Sequence, residues 1–135
     1  MSARYVLFVL MLFLSFSCTY VDSPVDVTRK FWNAVEDGDV QQAEKYALPG
    51  TMDEGSLADN STVELIAVSE EATVQNDTAR VGTEIRMTTE GETSKYNFDT
   101  VLVKKDDVWK VDYNKTVNSL MMSSIKEFGS EIGRA

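Results

Sequence analysis

Between residues 62 and 113 the apolar positions recur every second residue, whereas the segments on either side repeat them every three or four. The clearest alternation sets Ala79, Val81, Thr83, Ile85 and Met87 against Arg80, Gly82, Glu84 and Arg86, as in a strand with one buried and one wet face. Before it, residues 62–69 read as a strand and 72–75 as a second short one, with Asn76-Asp77 as a turn. Glu90-Gly91-Glu92 then turns the chain into a strand over 94–104. This strand places Tyr96, Phe98, Thr100 and Leu102 on one side, and Asn97, Asp99, Val101 and Val103 on the other. Lys105-Asp106-Asp107 leads into a last strand over 108–113, in which Trp109, Val111 and Tyr113 alternate with Val108, Lys110 and Asp112. Strands joined by such short turns pair antiparallel.

Ahead of the strands, Ser23 is placed to cap a helix over 24–37, with Pro24 at its first position and Asp26 three residues after the cap. Val27, Phe31, Ala34 and Val35 share its apolar face, and Gly38 supplies the stop. Asp39 and Gln42 form a capping-box pattern for a second short helix. Val40, Ala43 and Ala47 form its inner face, and Pro49-Gly50 ends it. Residues 51–61, rich in turn formers and acids, read as a loop. At the other end, Val117, Leu120, Met121, Ser124, Ile125, Phe128 and Ile132 recur at helical spacing over 116–132. Such a helix either packs on its own domain or docks a partner or second copy.

The first residues break this pattern. Met1 to Arg4 are short and basic, and residues 5–16 are apolar except for Ser15, ending at Ser17 before Cys18. The layout is that of an export signal, and the run falls short of the roughly 20 apolar residues that a spanning helix needs. An uncut signal anchor is the second reading. Leu14-Ser15-Phe16-Ser17-Cys18 resembles the lipobox of bacterial lipoproteins, in which the chain is cut before a cysteine that then carries diacylglycerol and an acylated amino terminus. Several acyl chains together make a stable anchor. The resemblance implies a signal peptide over 1–17, a lipidated cysteine and tether over 18–23, and delivery to the periplasmic side of the outer membrane if the host has two membranes. Cys18 read as a small apolar residue is the plain alternative, and a catalytic thiol lacks any histidine to activate it.

Composition narrows the functions further. The 135 residues suit one domain, and a formal charge of −9 without clustered cations disfavours nucleic acid as a partner. With no histidine and one cysteine, the sequence offers no metal site, no cofactor motif and no intramolecular disulfide. Asp106-Asp107 and Asp53-Glu54 lack the spaced oxygens of a calcium loop and read as solvated turns.

Two stretches carry a second resemblance: residues 31–39, Phe31-Trp32-Asn33-Ala34-Val35-Glu36-Asp37-Gly38-Asp39, with Ala43, and the hairpin over 101–112 containing Trp109. The chain resembles the nuclear transport factor 2-like, or cystatin-like, superfamily, and within it small uncharacterised lipoproteins. That implies an α+β fold over 24–115, with two helices packed on a curved antiparallel sheet, followed by the C-terminal amphipathic helix over 116–135. Members often hold a pocket between sheet and helix, which makes Tyr46, Tyr96, Trp109 and Tyr113 candidate pocket or core aromatics. Some members are isomerases pairing an acid with a tyrosine. Tyr46, Tyr96, Tyr113, Asp99 and Asp112 supply those residue types here, but none lies in a matching motif, so no catalytic residue is assigned. The expected function is a lipid-anchored envelope module that binds a small apolar ligand or an envelope protein. A pocket isomerase or dehydratase and an envelope immunity or inhibitor protein are the alternatives.

Overall fold

A computed structural model describes residues 21–52 and 61–132, with side chains through residue 123. The export segment, Cys18 and most of the expected loop lie outside the described residues. So do the side chains of Ser124, Ile125, Phe128 and Ile132.

Ser23 Oγ accepts the Asp26 N–H at 3.2 Å and opens helix α1 (Pro24–Glu36), with Pro24 in the first turn, where a missing N–H costs nothing. The helix buries Val27, Phe31, Ala34 and Val35 as expected, and also Thr28 and Trp32, so its inward face is wider than the simple stripe. It ends one residue before the expected Asp37, which becomes its cap. Gly38, at φ +74°, turns the backbone so that its N–H reaches Val35 O and the Asp39 N–H reaches Ala34 O, satisfying the last carbonyls. Asp39 then caps α2 (Val40–Tyr46) by accepting the Gln42 N–H at 3.1 Å. Asp39 thus closes one helix and opens the next. In α2, Ala43 and the C-cap Ala47 are buried, but Val40 is 39% exposed. Val40 sits in the first turn of this seven-residue helix, whose only buried residue is Ala43.

The strands β1 (Ser61–Gln75), β2 (Thr78–Thr89), β3 (Glu92–Lys105) and β4 (Val108–Val111) form one antiparallel sheet in sequence order. The two short strands expected over 62–75 are one long strand. Register shifts between Leu65 and Ala67 and between Val68 and Ala72 absorb the extra residues, so pairing with β2 resumes instead of ending. In the second shift, Ser69 Oγ accepts the Glu71 N–H and donates to Glu71 O, closing the bulge locally. The β2–β3 turn has Glu90 at φ 53° and Gly91 at 83°. The β3–β4 turn has Asp106 at 52° and Asp107 at 63°, the left-handed pairs that two-residue hairpins require.

On β2 the alternation holds: Ala79, Val81, Thr83 and Ile85 are buried toward α1, and Met87 is half-buried. The opposite face carries cross-strand ion pairs, Lys95–Glu84 at 2.8 Å, Arg86–Glu64 at 2.8 Å and Arg80–Asp99 at 3.7 Å. The result is the expected α+β architecture, with α1 and α2 packed on one side of a curved antiparallel meander.

The chain departs from expectation after β4. The strand expected through Tyr113 stops at Val111, and α3 (Tyr113–Ile132) begins at Tyr113 rather than Thr116. Asp112 is the reason: its Oδ1 accepts the Lys115 N–H at 3.2 Å and its carbonyl accepts the Thr116 N–H at 3.0 Å, so it starts a helix. β4 pairs β3 only from Leu102 to Lys105. Beyond it, α3 lies along the vacated edge of β3 and satisfies that edge with hydroxyls. Thr116 Oγ1 accepts the Val101 N–H at 3.0 Å, Ser119 Oγ accepts the Asp99 N–H at 3.0 Å, and Ser123 Oγ donates to Asn97 O. The helix therefore packs on its own domain through Tyr113, Thr116, Val117 and Leu120, whereas Met121, expected on the packed face, is 56% exposed. Among the described residues no helix is long and apolar enough to cross a membrane.

Candidate functional site

The end of α1, the start of β1, the far part of β2 and the first turns of α3 enclose a cleft of about 500 Å³. Its walls are Trp32, Val35, Val63, Ile85, Met87, Tyr113, Val117 and Leu120. Glu36, Asp37, Gly38 and Thr62, all exposed, belong to its mouth. This is the size and lining of a small-molecule site: a mostly apolar concavity with few polar groups.

Packing holds the aromatic wall in place. The Trp32 ring stands nearly perpendicular to Phe31 (centroids 5.1 Å apart) and to Phe98 (5.5 Å), while Phe31 also meets Tyr113 at 6.1 Å. Beneath it runs a buried polar chain. Trp32 Nε1 donates to Thr100 Oγ1 at 2.9 Å, and Thr100 and Thr83 share a hydrogen bond at 2.7 Å. Thr83 Oγ1 donates to Val81 O at 2.9 Å, so the shared proton belongs to Thr100. Each hydroxyl donates once and accepts once, and the chain leaves no orphan in the core. Tyr113 is 5% exposed, and burial pushes its phenol above the ordinary tyrosine range, so it stays a neutral hydrogen-bonding group.

Of the four aromatics singled out from sequence, Tyr113 alone lines this cleft. Trp109 is buried on β4, with the Lys104 ammonium 5.8 Å from its ring centroid. Tyr46 is half-buried at the end of α2 and accepts a 3.2 Å hydrogen bond from the Gln42 side chain. Tyr96 is half-buried on the core side of β3. Sequence reasoning missed Trp32, Ile85, Met87, Val117 and Leu120 as wall residues. The available signal was Trp32 itself, a second large aromatic directly after Phe31, which widens α1's apolar face past one stripe.

The acids that an isomerase reading would use lie elsewhere. Asp99 is on the outer sheet face beside Arg80, and Asp112 caps α3. The cleft's own carboxylates, Glu36 and Asp37, are exposed. Among the described residues no group of three or more potential metal ligands comes together. A second, wider hollow of about 990 Å³ opens on the outer sheet face against α3. Its charged lining residues Arg80, Glu84 and Asp99 already take part in ion pairs.

No protein-family model and no curated protein matches the chain. Among solved structures it is similar to an NTF-2 like protein of unknown function from Shewanella oneidensis MR-1, at 15% identity and a TM-score of 0.46 over 65% of this chain and 90% of that one. It is also similar to an LEH-like epoxide hydrolase of M. tuberculosis, at 8% identity and a TM-score of 0.48 over 78% of this chain and 95% of that one. A third similar structure is an Ntf2-like protein involved in plasmid conjugation, at 14% identity and a TM-score of 0.42 over 68% of this chain and 39% of that one.

Proposed function

We propose that this chain is a lipid-anchored domain of the bacterial cell envelope that binds a small apolar ligand in the cleft between α1, the sheet and α3, acting as a binding module rather than a catalyst. The observation that carries the reading is the cleft itself, with apolar walls held by packed aromatics and no carboxylate among its buried members. The anchor is supported by the run ending in Ser17-Cys18. From Cys18 to the Ser23 cap the chain can reach at most about 18 Å, at roughly 3.5 Å per residue. The tether would hold the start of α1 within that distance of the bilayer.

Two experiments test the two halves. Radiolabelled palmitate fed to the producing cell should enter the chain through Cys18, and unchanged labelling of Cys18→Ser ends the lipoprotein claim. For the cleft, 3-phenylpropanol is titrated by calorimetry into the full chain held in phosphatidylcholine nanodiscs, with empty discs subtracted. Saturable binding that is lost in Val117→Trp, which fills the cleft, is the expected result; no saturable heat with the unaltered chain removes the ligand-binding reading.

A further inference from the structure

Given that the cleft is a ligand site, as proposed above, we infer that its ligand is a single-chain lipid, with the acyl tail along the apolar walls and the polar head in water at the mouth.

The polar atoms of the interior are already committed to the protein. Trp32 Nε1 donates to Thr100, and Thr116 Oγ1 accepts from the Val101 N–H and donates to Asp112 O. Tyr113 is packed against Phe31 and is 5% exposed, so little of it is open to a ligand. A molecule with polar atoms spread along its body, such as a sugar, a peptide or a nucleotide, would bury them unpaired, at a net cost in free energy. The polar lining that does meet water, Glu36, Asp37 and Thr62, lies at the mouth. This distribution matches a ligand with hydrocarbon at one end and its polar group at the other.

The walls suit a flexible tail. Tyr113, Val117 and Leu120 follow one another along α3 at spacings of four and three, so their row is about 10 Å long at the rise of a helix. Val63, Met87, Val117 and Leu120 pack against the core yet are only half-buried, which leaves apolar surface from both the sheet and α3 for a ligand to cover. The unbranched Met87 side chain adapts its shape to what lies beside it. A single tail laid along this row leaves water altogether. A two-tailed lipid would have to expose its second tail, and so stays in the bilayer. The proposed anchor at Cys18 supplies the encounter, since tether and α1 together keep the cleft within about 40 Å of membrane lipid.

The test is photo-crosslinking of the full chain in phosphatidylcholine nanodiscs that carry a trace of one of two probes, a lysophosphatidylcholine or a phosphatidylcholine, each with a diazirine near the end of one tail. After irradiation, mass spectrometry locates the adducts. The lysolipid should label the wall peptides that contain Val63, Met87 and Leu120, and excess 3-phenylpropanol should reduce that labelling. The two-tailed probe should leave the wall unlabelled. Wall labelling should be lost in Val117→Trp, which fills the cleft, and kept in Met122→Trp, which adds the same side chain at an exposed position of the same helix. Labelling that survives Val117→Trp places the tail outside the cleft and overturns the assignment. Equal wall labelling by both probes overturns the single-chain class. No wall labelling by either probe, with 3-phenylpropanol still binding saturably, overturns the lipid assignment but leaves the apolar cleft standing; if 3-phenylpropanol fails as well, both fall. The adduct sites are read in the unaltered chain, so misfolding of a variant neither produces nor hides the result.

Discussion

Trp32 Nε1 and Thr100 Oγ1 lie 2.9 Å apart across 68 residues of sequence, the only polar link between the α1 indole and the sheet that carries it among the described hydrogen bonds. Thr100 receives the indole proton and passes its own to Thr83, so its removal disturbs both neighbours. Thr100→Val keeps the shape but leaves a buried N–H without an acceptor, at a cost of about 1–3 kcal/mol. Thr83→Val removes the acceptor of the Thr100 hydroxyl and the donor to Val81 O but leaves the indole N–H bonded, and should cost less. Because the two act in one chain, the double variant should be hardly worse than Thr100→Val alone, whereas independent sites would add. Urea unfolding of the three variants measures this, and additive losses would refute the directional chain.

Most of the fold could be read from the sequence where a local rule and the tertiary structure agree. Ser23-Pro24, Gly38 and Asp39 mark helix ends by their own chemistry, and the β2 alternation survives because each of its faces meets one environment. The misreadings fall where a remote partner decides. Residues 70–71 look like a break until the continuous β2 strand opposite them keeps β1 paired through its bulges. Tyr113 fits the strand period, yet the Asp112 cap turns it into a helix, because the edge of β3 beyond Leu102 is taken by side-chain hydroxyls instead of backbone. The cleft was legible only in Tyr113, since its other walls come from four elements that no single periodicity joins.

The hydroxyl edge makes its own prediction. Thr116 Oγ1 both accepts the buried Val101 N–H and donates to Asp112 O at 2.8 Å. Thr116→Val strands that amide and should lower stability by about 1–3 kcal/mol, with faster hydrogen exchange at Val101. Ser119→Ala should cost less, because the Asp99 N–H it serves lies in a partly exposed position that water can reach. Exchange at Val101 that is unchanged in Thr116→Val would show that the helix does not substitute for a strand there.

Asp106 and Asp107 form the β3–β4 turn with both residues at positive φ and two like charges side by side. Left-handed backbone costs an L-residue about 1–2 kcal/mol, and hairpin turns of this kind prefer Asp-Gly or Asn-Gly. Asp107→Gly should therefore stabilise the domain by about 1 kcal/mol, seen as a higher urea midpoint at an unchanged slope. A loss of stability would mean that the Asp107 side chain makes a contact that offsets its backbone strain.

Tyr113 gives the domain a pH dependence whose sign follows from its burial. Its phenol is pushed above the ordinary tyrosine value of 10.0 because the phenolate would be desolvated. The unfolded chain then loses this proton at lower pH than the folded one. The contribution is complete below the ordinary value and is lost progressively as pH rises through the raised folded one. Stability should thus be insensitive to this group at neutral pH and fall above about pH 10. Tyr113→Phe keeps the ring beside Phe31 and should flatten that alkaline decline relative to the unaltered chain. The comparison of the two unfolding profiles between neutral pH and about pH 11 isolates the effect, since every other tyrosine is common to both. Identical alkaline slopes would mean that Tyr113 reaches water in the folded state, and the closed inner wall of the cleft would have to be abandoned with it.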